Sequence, residues 1–251
     1  AVFNHIYPQD SDLTTGQRNW IRAYLNDFED ALYGPDFADP KDGYAKFIDV
    51  DSFIDHNLIN MLPMNVDAFR LSGYMFKRRG RKLELGPVWD YDRALESTDG
   101  RDDNPESWSG TGDGTDYFNH RDWWYRLFED PDFWQKYIDR WYELRAGPFS
   151  TASLNATIDG MAHEIREAQA RNYQRWSGQG PRFGGFQGEI NHLKDWLARR
   201  TTWIDGQFAA PPQIFPAGGH VPVPAVMHIA NPHPGGTVCY TLDGSDPRLL
   251  E

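Results

Sequence analysis

The stretch whose reading decides the fold is Asn65-Val-Asp-Ala-Phe-Arg-Leu-Ser-Gly-Tyr-Met-Phe-Lys77, continued by Leu85-Gly-Pro-Val-Trp-Asp-Tyr-Asp92. Asp67 stands just beyond an apolar run that Pro63 closes. Residues 69–77 and 82–89 then read as two strands around Arg78-Arg-Gly-Arg81, a turn carrying Gly. The second strand delivers Asp90 and Asp92. Carboxylates on either side of a hairpin suit a metal-bound phosphate. One accepts a proton from a nucleophile, and the other holds the metal that neutralises the transferring phosphoryl group.

Outward from this stretch the pattern is helical. Thr14 and Gln17 have capping-box spacing. Trp20, Ile21, Tyr24, Leu25, Phe28 and Leu32 follow at helical period, and Gly34-Pro35 stops the run. Asp51 or Ser52 is the expected cap of a second helix through Leu62. Residues 97–121, rich in Gly, Asp, Ser and Asn, read as a long loop. Helical period returns over 123–128, 133–144, 154–165 and 190–204, with aromatic stripes expected to be core. At Ala209-Ala-Pro-Pro212 the composition shifts to Pro, Gly and β-branched residues, and Val238 to Pro247 reads as strand plus turn. The expected class is α+β, mostly helical, with one β-hairpin and a short β-rich tail.

Five segments in order resemble the CotH-type atypical protein kinases, named for a bacterial spore-coat kinase. They are Gln17 to Leu32, Gly43-Tyr-Ala-Lys-Phe-Ile-Asp-Val-Asp-Ser-Phe53, Gly86-Pro-Val-Trp-Asp-Tyr-Asp92, Arg171-Asn-Tyr-Gln-Arg-Trp176 and Trp196-Leu-Ala-Arg-Arg-Thr-Thr-Trp-Ile-Asp205. The resemblance runs over roughly residues 10 to 208, and domains at 1–208 and 209–251 are expected. It implies a kinase-like C-terminal lobe using ATP with Mg or Mn to phosphorylate Ser or Thr of a protein. Asp67 is then the catalytic aspartate and Asp90 the metal-binding one. Asp92 is a second metal ligand or a partner for Arg93 or Arg101. Asn65 orients the loop or helps with metal.

Two departures stand out. Protein kinases place a metal-binding Asn five residues after the catalytic Asp, and here that position is Ser72. No Gly-rich loop and no Lys-Glu pair precede Asp67, so the chain reads as a carboxylate lobe without its nucleotide-gripping part. It opens at Ala1 without an initiator Met or signal peptide, which reads as a processed product or fragment. The tail resembles the small sandwich module appended to chitobiases and many secreted bacterial enzymes, through Tyr240-Thr-Leu-Asp-Gly-Ser-Asp-Pro247. Some 40 residues suffice only for a partial module. These resemblances imply a secreted or cell-surface bacterial protein.

A formal charge of −12 argues against a nucleic-acid surface. No apolar run reaches the roughly 18–20 residues of a membrane span. Ten Trp, 12 Tyr and 15 Phe supply a large core. The basic hairpin tip reads as solvated, with a phosphopeptide or nucleotide contact as the sharper alternative. Structural calcium at Asp49-Val-Asp51, or at Asp99, Asp102 and Asp103, is a further alternative, although neither has an EF-hand pattern. Gly110-Thr-Gly-Asp-Gly114 lacks the Lys of a P-loop. His163-Glu164 lacks the second His of a zinc protease. Cys239 is expected inside a tail strand as a small buried side chain. Two other functions stay open: a non-catalytic surface, adhesion or coat protein on the same scaffold, and a glycoside hydrolase using paired carboxylates such as Asp67 and Asp90.

Overall fold

A computed structural model describes residues 3–69, 71–97, 100–112, 115–118, 123–217, 220, 223–232 and 235–247. It divides into two units, Ala1–Trp203 and Ile204–Glu251.

In the first unit, helix α1 (Thr15–Tyr33) begins on the expected capping box. Thr14 Oγ1 accepts from Gln17 N at 3.2 Å, and Gln17 Oε1 accepts from Thr14 N at 2.8 Å. Phe28 and Leu32 are its buried positions. Helix α2 (Val50–Met61) is capped by Asp49, not by Asp51 or Ser52; the Asp49 carboxylate accepts from Ser52 N at 3.0 Å. The reason lies in the preceding backbone. Ile48 pairs in parallel with Leu83, and Asp49 N donates to Leu83 O at 2.8 Å. The chain therefore leaves a sheet-like ladder and enters the helix at one residue, whose extended backbone suits an N-cap.

Strands β1 (Met75–Lys77) and β2 (Leu83–Leu85) form the predicted antiparallel hairpin, with Phe76 opposite Glu84. Both are shorter than the alternation suggests. Before β1, Asp67 O accepts from Leu71 N and Ser72 N at 3.0 and 3.1 Å, which winds this segment into a turn. After β2, Gly86 takes φ 135° and the ladder ends. The tip is solvated, with Arg78 donating to both carboxylate oxygens of Glu84. Lys77 Nζ lies 4.7 Å from the centroid of the Tyr24 ring, a cation–π contact between hairpin and α1.

Helices α3 (Trp124–Leu127), α4 (Pro131–Ala146), α5 (Thr151–Ile165), α6 (Ala168–Arg175) and α7 (Phe186–Gln207) complete the helical set. The aromatic stripes are core, as expected. Phe128 meets Phe133 and Tyr137 edge-on at 5.2 Å, and Phe28 meets Trp123 at 4.9 Å. Polar ties are buried among them. Tyr137 donates to Asn57 Oδ1 at 2.8 Å, while Asn57 Nδ2 donates to Tyr117 O at 2.8 Å. Tyr44 donates to Asp130 Oδ2 at 2.6 Å, and Asp130 also caps α4.

The second unit holds a small hairpin, β3 (Gln213–Phe215) with β4 (His228–Ala230). The strand expected from Val238 does not form. Its turn does: Asp243 Oδ1 accepts from Ser245 N at 3.0 Å and Gly244 takes φ 81°. Cys239 is exposed, not buried, and among the described residues it lies in no strand. Among the described residues no helix is long and apolar enough to cross a membrane.

His56 on α2 is 6 % exposed, and its Nδ1 has no hydrogen-bond partner among the described residues. Burial pushes its pKa down to about 4 from an ordinary 6.5. Between those values the unfolded chain binds a proton that the folded chain refuses. Stability is therefore complete above pH 6.5 and falls as pH drops toward 4, by on the order of 3 kcal/mol for this group. Urea midpoints at pH 7, 5 and 4 should show a steeper acid loss for the wild type than for His56→Gln. Equal slopes would mean that His56 does not titrate in this window.

Candidate functional site

The site is built from the C-terminal end of α2, the turn after it and the arm leaving β2. Residues 61–68 are all buried. Asn65 N bonds to Asn60 O at 3.0 Å and Asn65 Nδ2 to Asn60 Oδ1 at 3.1 Å, so the turn folds back on its own helix. Met64 takes φ 53° to make that reversal. Asn65 Oδ1 then accepts from Asp67 N at 3.4 Å.

Asn65 and Ser72 hold the two aspartate segments together. Asn65 Nδ2 reaches the Asp90 carbonyl at 3.4 Å. Ser72 N donates to Asp67 O, and Ser72 Oγ donates to Asp90 Oδ2 at 3.1 Å. The residue at the kinase asparagine position is thus bonded to the carboxylate expected to hold metal. Its neighbours agree: Leu95 N donates to Pro63 O at 2.8 Å, closing the loop after Asp92 onto the turn before Asp67.

Asp90 itself is exposed, with φ 66°. This left-handed backbone lies beyond the end of β2 at Leu85, so the second strand does not run on to deliver Asp90 and Asp92 as expected. Asp92 is exposed and makes no hydrogen bond or ion pair among the described residues. The arginines expected beside it go elsewhere. Arg101 Nη2 lies 3.3 Å from Asp67 Oδ1, and Arg93 Nε lies 3.8 Å from Asp67 Oδ2. The Asp67 side chain is 12 % exposed, so this charge is compensated in a partly desolvated place. Trp89 stands open, edge-on to Tyr74 at 6.2 Å. Tyr91 does tuck in, and burial pushes its hydroxyl up to about 12.

Arg101 is the residue that sequence reasoning attached to the wrong partner. It sits in the segment read as a loose acidic loop, yet its backbone is fixed. Thr111 N donates to Arg101 O at 3.0 Å. A Cβ at Gly110 would stand 2.0 Å from that same oxygen, so only Gly fits. Asp102, fully buried, accepts from Ser97 N at 3.1 Å, and burial raises its pKa. The presence of Gly and Asp at these positions was legible, but not what they hold.

Arg200 on α7 supports the whole assembly. It is fully buried, and its guanidinium donates to Met61 O at 2.8 Å, to Pro105 O at 3.0 Å and to Ser107 O. Met61 is the last residue of α2, whose terminal carbonyls lack helical donors. Burial lowers the Arg200 pKa to about 10, which leaves it charged at neutral pH.

Among the described residues no three His, Cys, Asp or Glu side chains gather as a metal cluster. For calcium, Asp49 is spent as a cap and Asp51 pairs with Lys136 at 2.6 Å. Asp99 lies outside the described residues, as do Asp113 and Gly114. A magnesium-bound nucleotide asks less, since one or two carboxylates suffice beside its phosphates and water. The exposed oxygen donors of Asp90 meet that need. Beside the Gly86-Pro87-Val88 arm an open groove of about 520 Å³ is lined by Phe76, Leu85, Leu144 and Phe149.

A family model described as CotH kinase protein matches residues 4–204. No curated protein and no solved structure matches the chain.

Arg200→Met should destabilise the fold by about 3–5 kcal/mol, because buried carbonyls lose a charged donor. Denaturant unfolding measures it. A loss below about 1 kcal/mol would mean that those carbonyls find other donors.

Proposed function

The chain belongs to the CotH kinase family, and on that premise we propose that it transfers the γ-phosphoryl group of ATP to a Ser or Thr hydroxyl of a protein. The observation that carries this reading is the bonded set Asn65, Asp67, Ser72 and Asp90. Asp67 accepts the acceptor hydroxyl's proton and orients its oxygen. Asp90, with Ser72 fixing its carboxylate, is the residue to hold Mg or Mn. When bound, that ion offsets charge on the phosphoryl oxygens. Asn65 keeps both aspartate segments in register, so positioning supplies much of the rate. Asp92 contributes only if the loop gathers it.

The apolar groove beside the Gly86 arm suits an acceptor segment, and the protein substrate is part of the same proposal. The domain division at 1–208 and 209–251, a partial chitobiase-type tail and a bacterial coat, secreted or cell-surface setting rest on the resemblances. The Asp243–Ser245 turn is what supports the tail assignment. A non-catalytic coat or surface role is the second reading, favoured by the engagement of Asp67 with Arg93 and Arg101.

Two substitutions separate these readings in the full-length protein. Asp90→Asn should abolish manganese-dependent ATP binding by calorimetry while the thermal midpoint stays near wild type. Asp67→Asn should keep ATP affinity within a few-fold and lower radiolabel transfer by roughly two to four orders of magnitude. Unchanged ATP affinity in the first would sink the metal assignment. Undiminished transfer in the second would move the base elsewhere.

A further inference from the structure

We infer that Arg101 is a catalytic residue of this site, the cation that meets the transferring phosphoryl group. The inference rests on the kinase reading of Asp67 and Asp90.

The argument begins with distances. A general base works within about 2.6–3.2 Å of the hydroxyl it deprotonates. That hydroxyl oxygen approaches phosphorus at about 3–3.5 Å. The phosphoryl oxygens therefore lie within about one side-chain reach of the Asp67 carboxylate. Arg101 Nη2 already stands 3.3 Å from that carboxylate. A long side chain so placed can reach those oxygens when an acceptor is bound. Arginine suits the role, since its planar fork matches phosphate oxygens and it stays charged at any working pH.

The mount of Arg101 is the second observation. A side chain that merely neutralised Asp67 needs no rigid backbone. Here the Arg101 carbonyl is bonded by Thr111 N and approached so closely by Gly110 that no Cβ fits. The next residue, Asp102, is fully buried and pins Ser97. The side chain of Arg101 is 19 % exposed, against 52 % for Arg93, which reaches Asp67 only at 3.8 Å. Arg101 is therefore held from behind and presented at the rim.

The step balances without a further reactant. The acceptor oxygen forms a bond to the γ-phosphorus, and its proton passes to Asp67. The bond from the γ-phosphorus to the bridging oxygen breaks, and its electron pair leaves with ADP. Arg101 exchanges no proton. It trades its contact with Asp67 for the phosphoryl oxygens as Asp67 takes up the acceptor proton and loses its charge.

The test uses the full-length protein with manganese and ATP. Arg101→Gln should lower kcat by roughly 10²–10³-fold, the usual loss of one preorganised donor, with KM for the acceptor within a few-fold. Arg101→Lys should recover at least about tenfold of that loss, since charge is restored without the fork. The affinity for inorganic tripolyphosphate with manganese should fall at least about tenfold in Arg101→Gln, roughly 1.4 kcal/mol. Transfer by Arg101→Gln within about threefold of wild type would overturn the inference. A loss that Lys does not relieve, accompanied by a lower thermal midpoint in both variants, would overturn it as well, and leave a structural ion pair. Should Arg101→Gln fail to fold, Arg101→Lys decides alone: transfer within about thirtyfold of wild type supports the assignment, and none overturns it. If the wild type transfers no phosphate, the kinase reading fails by itself. Tripolyphosphate binding then judges Arg101, and equal affinity in wild type and Arg101→Gln rejects it.

Discussion

The guanidinium of Arg200 is the constraint on which the site depends. It enters a dry core and binds the carbonyls of Met61, Pro105 and Ser107. Those carbonyls belong to two segments with little regular structure to hold them: the end of α2 and the loop that follows Arg101. A buried charge is costly unless its donors are matched to acceptors. Here Nη1 and Nη2 are matched, while Nε is buried without a hydrogen-bond partner among the described residues, and the matched pairs fix those acceptors in one arrangement. The turn carrying Asn65 and Asp67 starts from Met61, and the loop carrying Arg101 runs into Pro105. One side chain on α7 thus ties together the segments that carry Asp67 and Arg101.

Local signals in the sequence were sufficient for the elements that depend on local physics. The capping box at Thr14 and the helical periods of α1, α4 and α5 follow from neighbours within one or two turns. The hairpin at Met75–Leu85 was legible from alternation and the turn Gly. What alternation does not report is where a strand stops, because Asp67 O captures Leu71 N and Ser72 N before a ladder can form. The cap of α2 was misplaced for a similar reason. Its backbone is set by Leu83, some thirty residues away, and not by the helix.

In the candidate site, the segments that meet were legible and their partners were not. Asn65 and Ser72 both bond to Asp90, and Ser72, at the kinase asparagine position, holds the Asp90 carboxylate. Asp92 followed the period of a strand that does not exist there. Arg93 and Arg101 were read against Asp92 because it is nearer in sequence, yet both turn to Asp67. Charge pairing across 26 and 34 residues leaves no periodic trace. A Gly at 110 next to an Arg carbonyl leaves none either, since the composition of such a segment is that of any surface loop. The tail failed in the opposite direction. Val238 to Leu242 has strand chemistry, but strand chemistry without a partner ladder gives no strand.

The left-handed backbone at Asp90 narrows the substitutions open to this position in a way unrelated to metal. With φ 66°, a side chain branched at Cβ or bulky there costs roughly 1–2 kcal/mol, whereas Asn, Asp and Gly are accommodated. A relative that keeps the bend is channelled toward Asp, Asn or Gly at this position. Asn or Gly at this position in a relative thus leaves the architecture of the arm intact. A β-branched residue would report that the bend itself has been rebuilt.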